Sequence, residues 1–190
     1  MSVVKNLSGI KGLWYIKDYL TDSEINMIKE KINNEIEFES ITNSHNSRRT
    51  AHFGYYYLYD RSGLKNAPII PDFLKDLVNP KRINNKITKY VVSDTCTFNQ
   101  IIINEYTPGQ QIAYHIDHVK LFGPIIVCIT IGQSIPIKFK YDDNIKEVNI
   151  DEGSMYIMTD AARYKWQHSL KNISDNTRYS LTYRVVNSKE

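Results

Sequence analysis

The chain has 190 residues, 24 Lys and Arg against 21 Asp and Glu, and a formal net charge of +3; the length suits one well-buried domain, and the charge is too small to argue for nucleic-acid binding in bulk. Its two cysteines, Cys96 and Cys128, form no Cys-x-x-Cys, which excludes a zinc ribbon, an iron–sulfur cluster and a disulfide framework and points to a reducing compartment. No segment reads as a secretory signal or reaches the ~20 apolar residues of a membrane span, so a soluble chain is expected.

Leu13 to Ile16 can form a short strand. Thr21-Asp22-Ser23-Glu24 fits a capping box, and Ile25, Ile28, Ile32 and Ile36 follow at three- and four-residue steps, so residues 22–36 read as an amphipathic helix whose apolar stripe needs a sheet. A polar stretch from Thr42 to Thr50 reads as a loop, and Phe53 to Tyr59 as strand-forming aromatics entering a hairpin. Pro68, Pro71 and Pro80 mark loops around a short helix at 72–77, and Lys75, Lys81, Arg82, Lys86 and Lys89 make the densest basic segment. Beyond Phe98, apolar runs at 98–106, 111–117, 125–131, 135–141, 145–150, 154–158, 163–168 and 178–186 read as eight short strands. The fold expected is mostly β with flanking helices: a double-stranded β-helix, or jelly roll, at 98–190 with an N-terminal α/β extension at 1–97, together one compact domain.

Side chains alternate along a strand, so in Tyr114-His115-Ile116-Asp117 the imidazole of His115 and the carboxylate of Asp117 share a face. His168 on another expected strand would complete two histidines and a carboxylate, the facial triad of non-haem Fe(II) oxygenases. A hydrogen-bonded His–Asp pair is the plainer alternative. In Arg178-Tyr179-Ser180-Leu181-Thr182-Tyr183-Arg184 the two arginines face the same side as Ser180 and Thr182. If that face looks inward, two guanidinium groups enter a cavity and call for an anion, and a dicarboxylate suits bidentate pairing. If it looks outward, the arginines are simply solvated.

The order Asn104-x-Tyr106, His115-x-Asp117, His168, then Arg178 and Arg184 resembles the AlkB family of Fe(II)- and 2-oxoglutarate-dependent dioxygenases, over about residues 48–186. Phe53-Gly54-Tyr55-Tyr56-Tyr57 and Ala67-Pro68-Ile69-Ile70-Pro71 resemble that family's nucleotide-recognition region. The resemblance implies that His115, Asp117 and His168 bind Fe(II), and that Arg178 clasps the far carboxylate of 2-oxoglutarate. It places Asn104, Tyr106, Ser180 and Arg184 around the same cosubstrate, with O2 as the second cosubstrate. Ser154 to Thr159, Arg163-Tyr164 and Trp166-Gln167-His168 look closer to the branch containing the tRNA wobble-uridine hydroxylase than to the bacterial repair enzyme. Val119 stands where that repair enzyme carries a second acid.

The resemblance implies oxidative demethylation or hydroxylation of a modified nucleic-acid base, RNA before DNA. Arg49, Tyr55, Tyr57, His118, Arg163 and Trp166 are the candidate substrate-side residues, with core packing and a surface ion pair as the alternatives for the tyrosines, Trp166 and Arg163. A protein or lipid substrate for the same chemistry, and a non-catalytic nucleic-acid-binding module, are the competing readings. The Ile- and Asn-rich composition suits an AT-rich microbial or viral genome, which makes a bacterial or host cytoplasm the expected compartment.

Overall fold

The computed structural model describes residues 2–60, 62–84, 91–93 and 95–187. Its first strands are β1 (Val3–Lys5), β2 (Leu13–Ile16), β3 (Glu39–Ser40), β4 (Arg49–Phe53), β5 (Tyr55–Leu58) and β6 (Gly63–Asn66). The remainder are β7 (Gln100–Tyr106), β8 (Gln111–His115), β9 (Phe122–Ile131), β10 (Ile135–Tyr141), β11 (Asn144–Ile150), β12 (Met155–Met158), β13 (Gln167–Lys171) and β14 (Arg178–Val186). Among the described residues four α-helices accompany them: α1 (Asp22–Glu35), α2 (Asp72–Lys75), α3 (Pro80–Asn84) and α4 (Asp160–Tyr164).

The strands form an eight-stranded sheet in the order β1-β2-β12-β9-β14-β7-β4-β3, a four-stranded sheet β11-β10-β13-β8, and the β5-β6 hairpin. Period-two alternation divides the large sheet into two faces. Ile101, Ile103, Val127, Ile129, Leu181 and Tyr183 point to one side, where they pack with Ile25, Ile28 and Ile32 of α1 and Leu74 of α2. This is the sheet that the stripe of α1 required. The helix begins as its sequence implies: Thr21 Oγ1 accepts from the Glu24 amide, and the Glu24 carboxylate accepts from the Thr21 amide. On the opposite face, Ile126, Cys128, Tyr156 and Met158 pack against Ile137, Phe139, Val148, Ile150 and Leu170 of the small sheet. Two facing antiparallel sheets with this shared core are the expected jelly roll.

Three local expectations change. The run 163–168 is not a strand. Ala161 and Ala162 favour a helical turn, α4 runs to Tyr164, and the amides of Lys165 and Trp166 both donate to the Ala161 carbonyl before β13 begins at Gln167. The polar loop ends sooner, because β4 starts at Arg49 and pairs with β7. The aromatic run 53–59 is broken at Gly54, whose φ of 76° and approach to the Asn99 carbonyl, 2.0 Å from where a Cβ would stand, exclude any side chain. Among the basic residues, Lys86 and Lys89 lie outside the described residues.

Candidate metal and cosubstrate site

Between the two sheets opens a cavity of about 650 Å³. The small sheet supplies the histidines. His168 of β13 is the cross-strand partner of His115 at the end of β8, and their rings lie 4.2 Å apart between centroids. Two residues beyond His115 the chain has left β8, and the loop turns Asp117 into the same space. One ligand atom from each of the three residues lies within 4.8 Å of the others.

The protonation of this group suits a divalent cation. His115 Nδ1 donates to the Ala113 carbonyl at 2.9 Å, which fixes the ring with Nε2 toward the cavity, 3.5 Å from Asp117 Oδ1. Burial would lift the Asp117 carboxyl, but the Arg184 guanidinium, with Nε 2.9 Å from Oδ2, and the two imidazoles hold it well below the usual carboxylate range. Burial, and then the neighbouring His115 ring, pushes His168 down to about 3. His168 is thus neutral and presents a lone pair, and the aspartate presents a charge.

The large sheet supplies the opposite wall. Arg178, Ser180, Thr182 and Arg184 of β14 and Asn104 and Tyr106 of β7 all face the cavity. The register sets Arg178 beside Tyr106 and Ser180 beside Asn104. Arg178 is fully buried, and its Nη2 donates to Thr130 Oγ1 at 3.0 Å while Nε and Nη1 have no partner. A buried guanidinium with two idle donors is a strong physical indication of an absent anion. A carboxylate supplies two acceptor oxygens for such a fork.

Of the candidate substrate-side residues, Tyr57 and His118 line the cavity, with Tyr59 and Phe122 beside them. Arg49, Tyr55, Arg163 and Trp166 do not. Arg49 follows the parity of Ala51 and turns away from the cavity to pair with Glu105 at 2.5 Å. Tyr55 is half-buried outside the cavity, and its carbonyl accepts from Gln100 Nε2. Trp166 is packed in the core between the sheets, against Tyr141. The described basic segment is also partly spent, since Lys75 pairs with Asp72 and Arg82 with Glu24.

Arg163 has a different task. Its guanidinium is buried and donates to the carbonyls of Asp117, His118, Phe122 and Gly123 at 2.9 to 3.3 Å, clamping both ends of the loop that carries Asp117. Arg163→Met would remove that donor from the Asp117, Phe122 and Gly123 carbonyls, whereas the His118 carbonyl keeps the Phe122 amide at 3.1 Å. At ~1–3 kcal/mol for each buried group left unsatisfied, urea unfolding should show a loss of at least ~3 kcal/mol. Arg48, one position before β4, also lines the cavity, and its Nε donates to Asn104 Oδ1 at 2.6 Å.

A family model described as the 2OG-Fe(II) oxygenase superfamily matches residues 12–184. Uncharacterized protein L905 of Acanthamoeba polyphaga mimivirus is 29% identical over 200 residues, covering 96% of this chain and 89% of that one. The tRNA (carboxymethyluridine(34)-5-O)-methyltransferase ALKBH8 of Macaca fascicularis is 27% identical over 165 residues, and the match spans 84% of this chain but about a quarter, 24%, of that relative. Among solved structures, OsALKBH1 superposes with a TM-score of 0.68 at 15% identity, covering 91% of this chain and 96% of that one. A prolyl hydroxylase from Trichoplax adhaerens, solved with a peptide of hypoxia inducible factor, gives 0.63 at 13% identity over 94% of this chain and 85% of its own. At such identities these two likenesses speak for the fold, the double-stranded β-helix of 2OG oxygenases. No helix among the described residues is long and apolar enough to cross a membrane.

Proposed function

Because the chain belongs to the 2OG-Fe(II) oxygenase superfamily and has AlkB-like relatives, we propose that it oxidises a modified nucleic-acid base, RNA before DNA, in the cavity between its sheets. The activity that follows from membership is Fe(II)- and 2-oxoglutarate-dependent dioxygenation, with O2 as the second cosubstrate. In this reading His115, Asp117 and His168 hold the iron, and Arg178 binds the far carboxylate of 2-oxoglutarate. Asn104, Tyr106, Ser180 and Arg184 shape the rest of the cosubstrate pocket. The observation that carries it is the triplet of ligand atoms in one cavity with a fully buried arginine whose Nε and Nη1 are unpaired.

Bound Fe(II) supplies the coupling between decarboxylation of 2-oxoglutarate to succinate and oxidation of a substrate C–H bond. The protein's residues determine placement and environment. The Ala113 carbonyl orients the His115 ring, and Arg184 fixes one carboxylate oxygen of Asp117 so that the other is free for the metal. Tyr57, Tyr59 and Phe122 form an aromatic wall, with Tyr57 5.3 Å from Tyr59 and 5.8 Å from Phe122 between centroids. An unpaired base can lie against such a wall and exclude water from the reacting carbon.

The substrate class comes from the tRNA-directed relative, whose name specifies a carboxymethyluridine. A uridine with a substituent of that kind is the leading substrate, and the methyl transfer in that name is not carried over. Hydroxylation of an N-methyl group would release formaldehyde, whereas a carbon-linked substituent would keep the hydroxyl. The test is incubation with total tRNA, mRNA and methylated oligonucleotides, followed by nucleoside mass spectrometry and a formaldehyde assay. One nucleoside should gain an oxygen or lose a methyl group only when Fe(II) and 2-oxoglutarate are both present. Succinate formation stimulated by peptides or lipids and by no nucleic acid would overturn the substrate assignment and leave the chemistry intact.

A further inference from the structure

We propose that Arg48 reads an oxyanion carried by the substrate, either a carboxylate on the base or a phosphate beside it. This rests on the nucleic-acid reading above and assigns one residue and one charge to its recognition.

The three arginines that line the cavity are Arg48, Arg178 and Arg184, and Asp117 is the one acid among them. Arg184 is paired with Asp117. Fe(II) and the 2-oxoglutarate dianion cancel one another, so the loaded cavity keeps a surplus of two positive charges. Arg178 lies at full burial facing the cosubstrate, whereas Arg48 is half-buried and the outermost of the three. Among the described residues Arg48 forms no ion pair, in contrast to its neighbour Arg49. Its contacts are the bond from Nε to Asn104 Oδ1 and the face of Tyr59, 5.7 Å from Cζ. Those contacts hold the guanidinium in place and leave its two Nη groups available.

A fixed, half-desolvated guanidinium without a counter-ion attracts an oxyanion by charge and by the fork of its donors. Its parity explains why it faces inward: Arg48, one place before β4, continues the side of Thr50 and His52, with Thr50 opposite Asn104 and His52 opposite Ile102, two residues of the cavity face. The cation stands beside the aromatic wall against which a base would lie. An anion on that base, or on the phosphate next to it, is therefore within the same recognition surface.

The test uses the full chain loaded with Mn(II) and N-oxalylglycine, an unreactive analogue of 2-oxoglutarate, so that binding is read without turnover. Two single-stranded oligoribonucleotides of one sequence are compared, one with 5-carboxymethyluridine and the other with its methyl ester. If the base carries the anion, Arg48→Gln weakens the carboxymethyl oligonucleotide roughly tenfold and the ester less than about twofold. If a phosphate is read, both weaken alike and the slope of log affinity against log salt falls by about 0.7, as loss of one single-strand phosphate contact requires. Arg48→Lys keeps the charge without the fork and should retain part of the affinity, and it serves as the test variant if the Gln variant does not fold. Wild-type affinity of the variant for both oligonucleotides would overturn the proposal. So would an equal loss of N-oxalylglycine binding, which would make Arg48 a support for the cosubstrate through Asn104. Failure of the wild-type protein to bind either oligonucleotide would instead sink the nucleic-acid reading, and this assignment with it.

Discussion

His115→Ala abolishes Fe(II)-dependent succinate formation, with a loss of at least ~10³-fold, and leaves the urea midpoint of the apoprotein nearly where it was. The two halves of that expectation have separate causes. The His115 side chain is 30% exposed and its described hydrogen bond is to Ala113, two residues away, so its removal opens no deep core cavity. It removes one of three candidate metal ligands, and the two that are left hold a divalent cation more weakly. Asp117→Ala gives the same loss of turnover with a different stability. Asp117 is buried against Arg184, and breaking a buried pair by deleting one partner leaves an unpaired charge that costs ~3–5 kcal/mol. The sign with pH follows from the depressed carboxyl: the pair's contribution is present above the ordinary aspartate range near ~4 and is lost as the pH falls through the lower folded value. At neutral pH, therefore, the Asp117 variant should unfold at lower urea than the His115 variant. Equal turnover of His115→Ala and wild type would remove the metal assignment; equal stability of the two variants would remove the ion-pair argument alone.

Strand parity grouped the residues of the large-sheet wall but left open which face looks inward, and it did not govern Asp117, which stands on the loop after β8. Arg178, Ser180, Thr182 and Arg184 alternate with Tyr179, Leu181 and Tyr183, and the structure sends the first set inward and Leu181 and Tyr183 to the helix-covered face. The same rule would have chosen Arg48 over Arg49, because Ala51 and Phe53 are the apolar members of β4 and share the parity of Arg49. That inference needed the start of β4, and a polar stretch with His45 and Asn46 hides it. Parity failed altogether at 163–168, where one helical turn replaces an expected strand and turns Arg163 and Trp166 into the protein. Local propensity in Ala161-Ala162 contained the signal. What no local pattern could show is that the Arg163 guanidinium would close on four carbonyls some forty residues earlier, since such long-range partners are set only by tertiary packing.

Arg178→Met should lose the cosubstrate and gain stability in its absence. In the apoprotein this guanidinium is wholly buried, burial lowers its pKa, and Thr130 satisfies a single nitrogen. Arginine nonetheless stays protonated, so the folded chain carries a desolvated charge with idle donors. A methionine of similar length fills the space among Tyr106, Thr130 and Tyr156 without that penalty, and the apoprotein should melt higher by a few degrees, as replacing buried charge with apolar volume commonly allows. The expected effect on function is opposite and larger. Loss of a bidentate, charge-assisted contact from a fully buried guanidinium raises the KM for 2-oxoglutarate by ~100-fold or more, and Arg178→Lys, a point charge without the fork, recovers only part of it. Ligand-dependent melting separates the two effects in one experiment. With Mn(II) present, millimolar 2-oxoglutarate raises the midpoint of the wild type through its binding free energy, and the Met variant, which starts higher, hardly responds. A Met variant that melts no higher than wild type and still gains from 2-oxoglutarate would mean that the cosubstrate anchor is elsewhere, and that the unpaired nitrogens of Arg178 serve another anion.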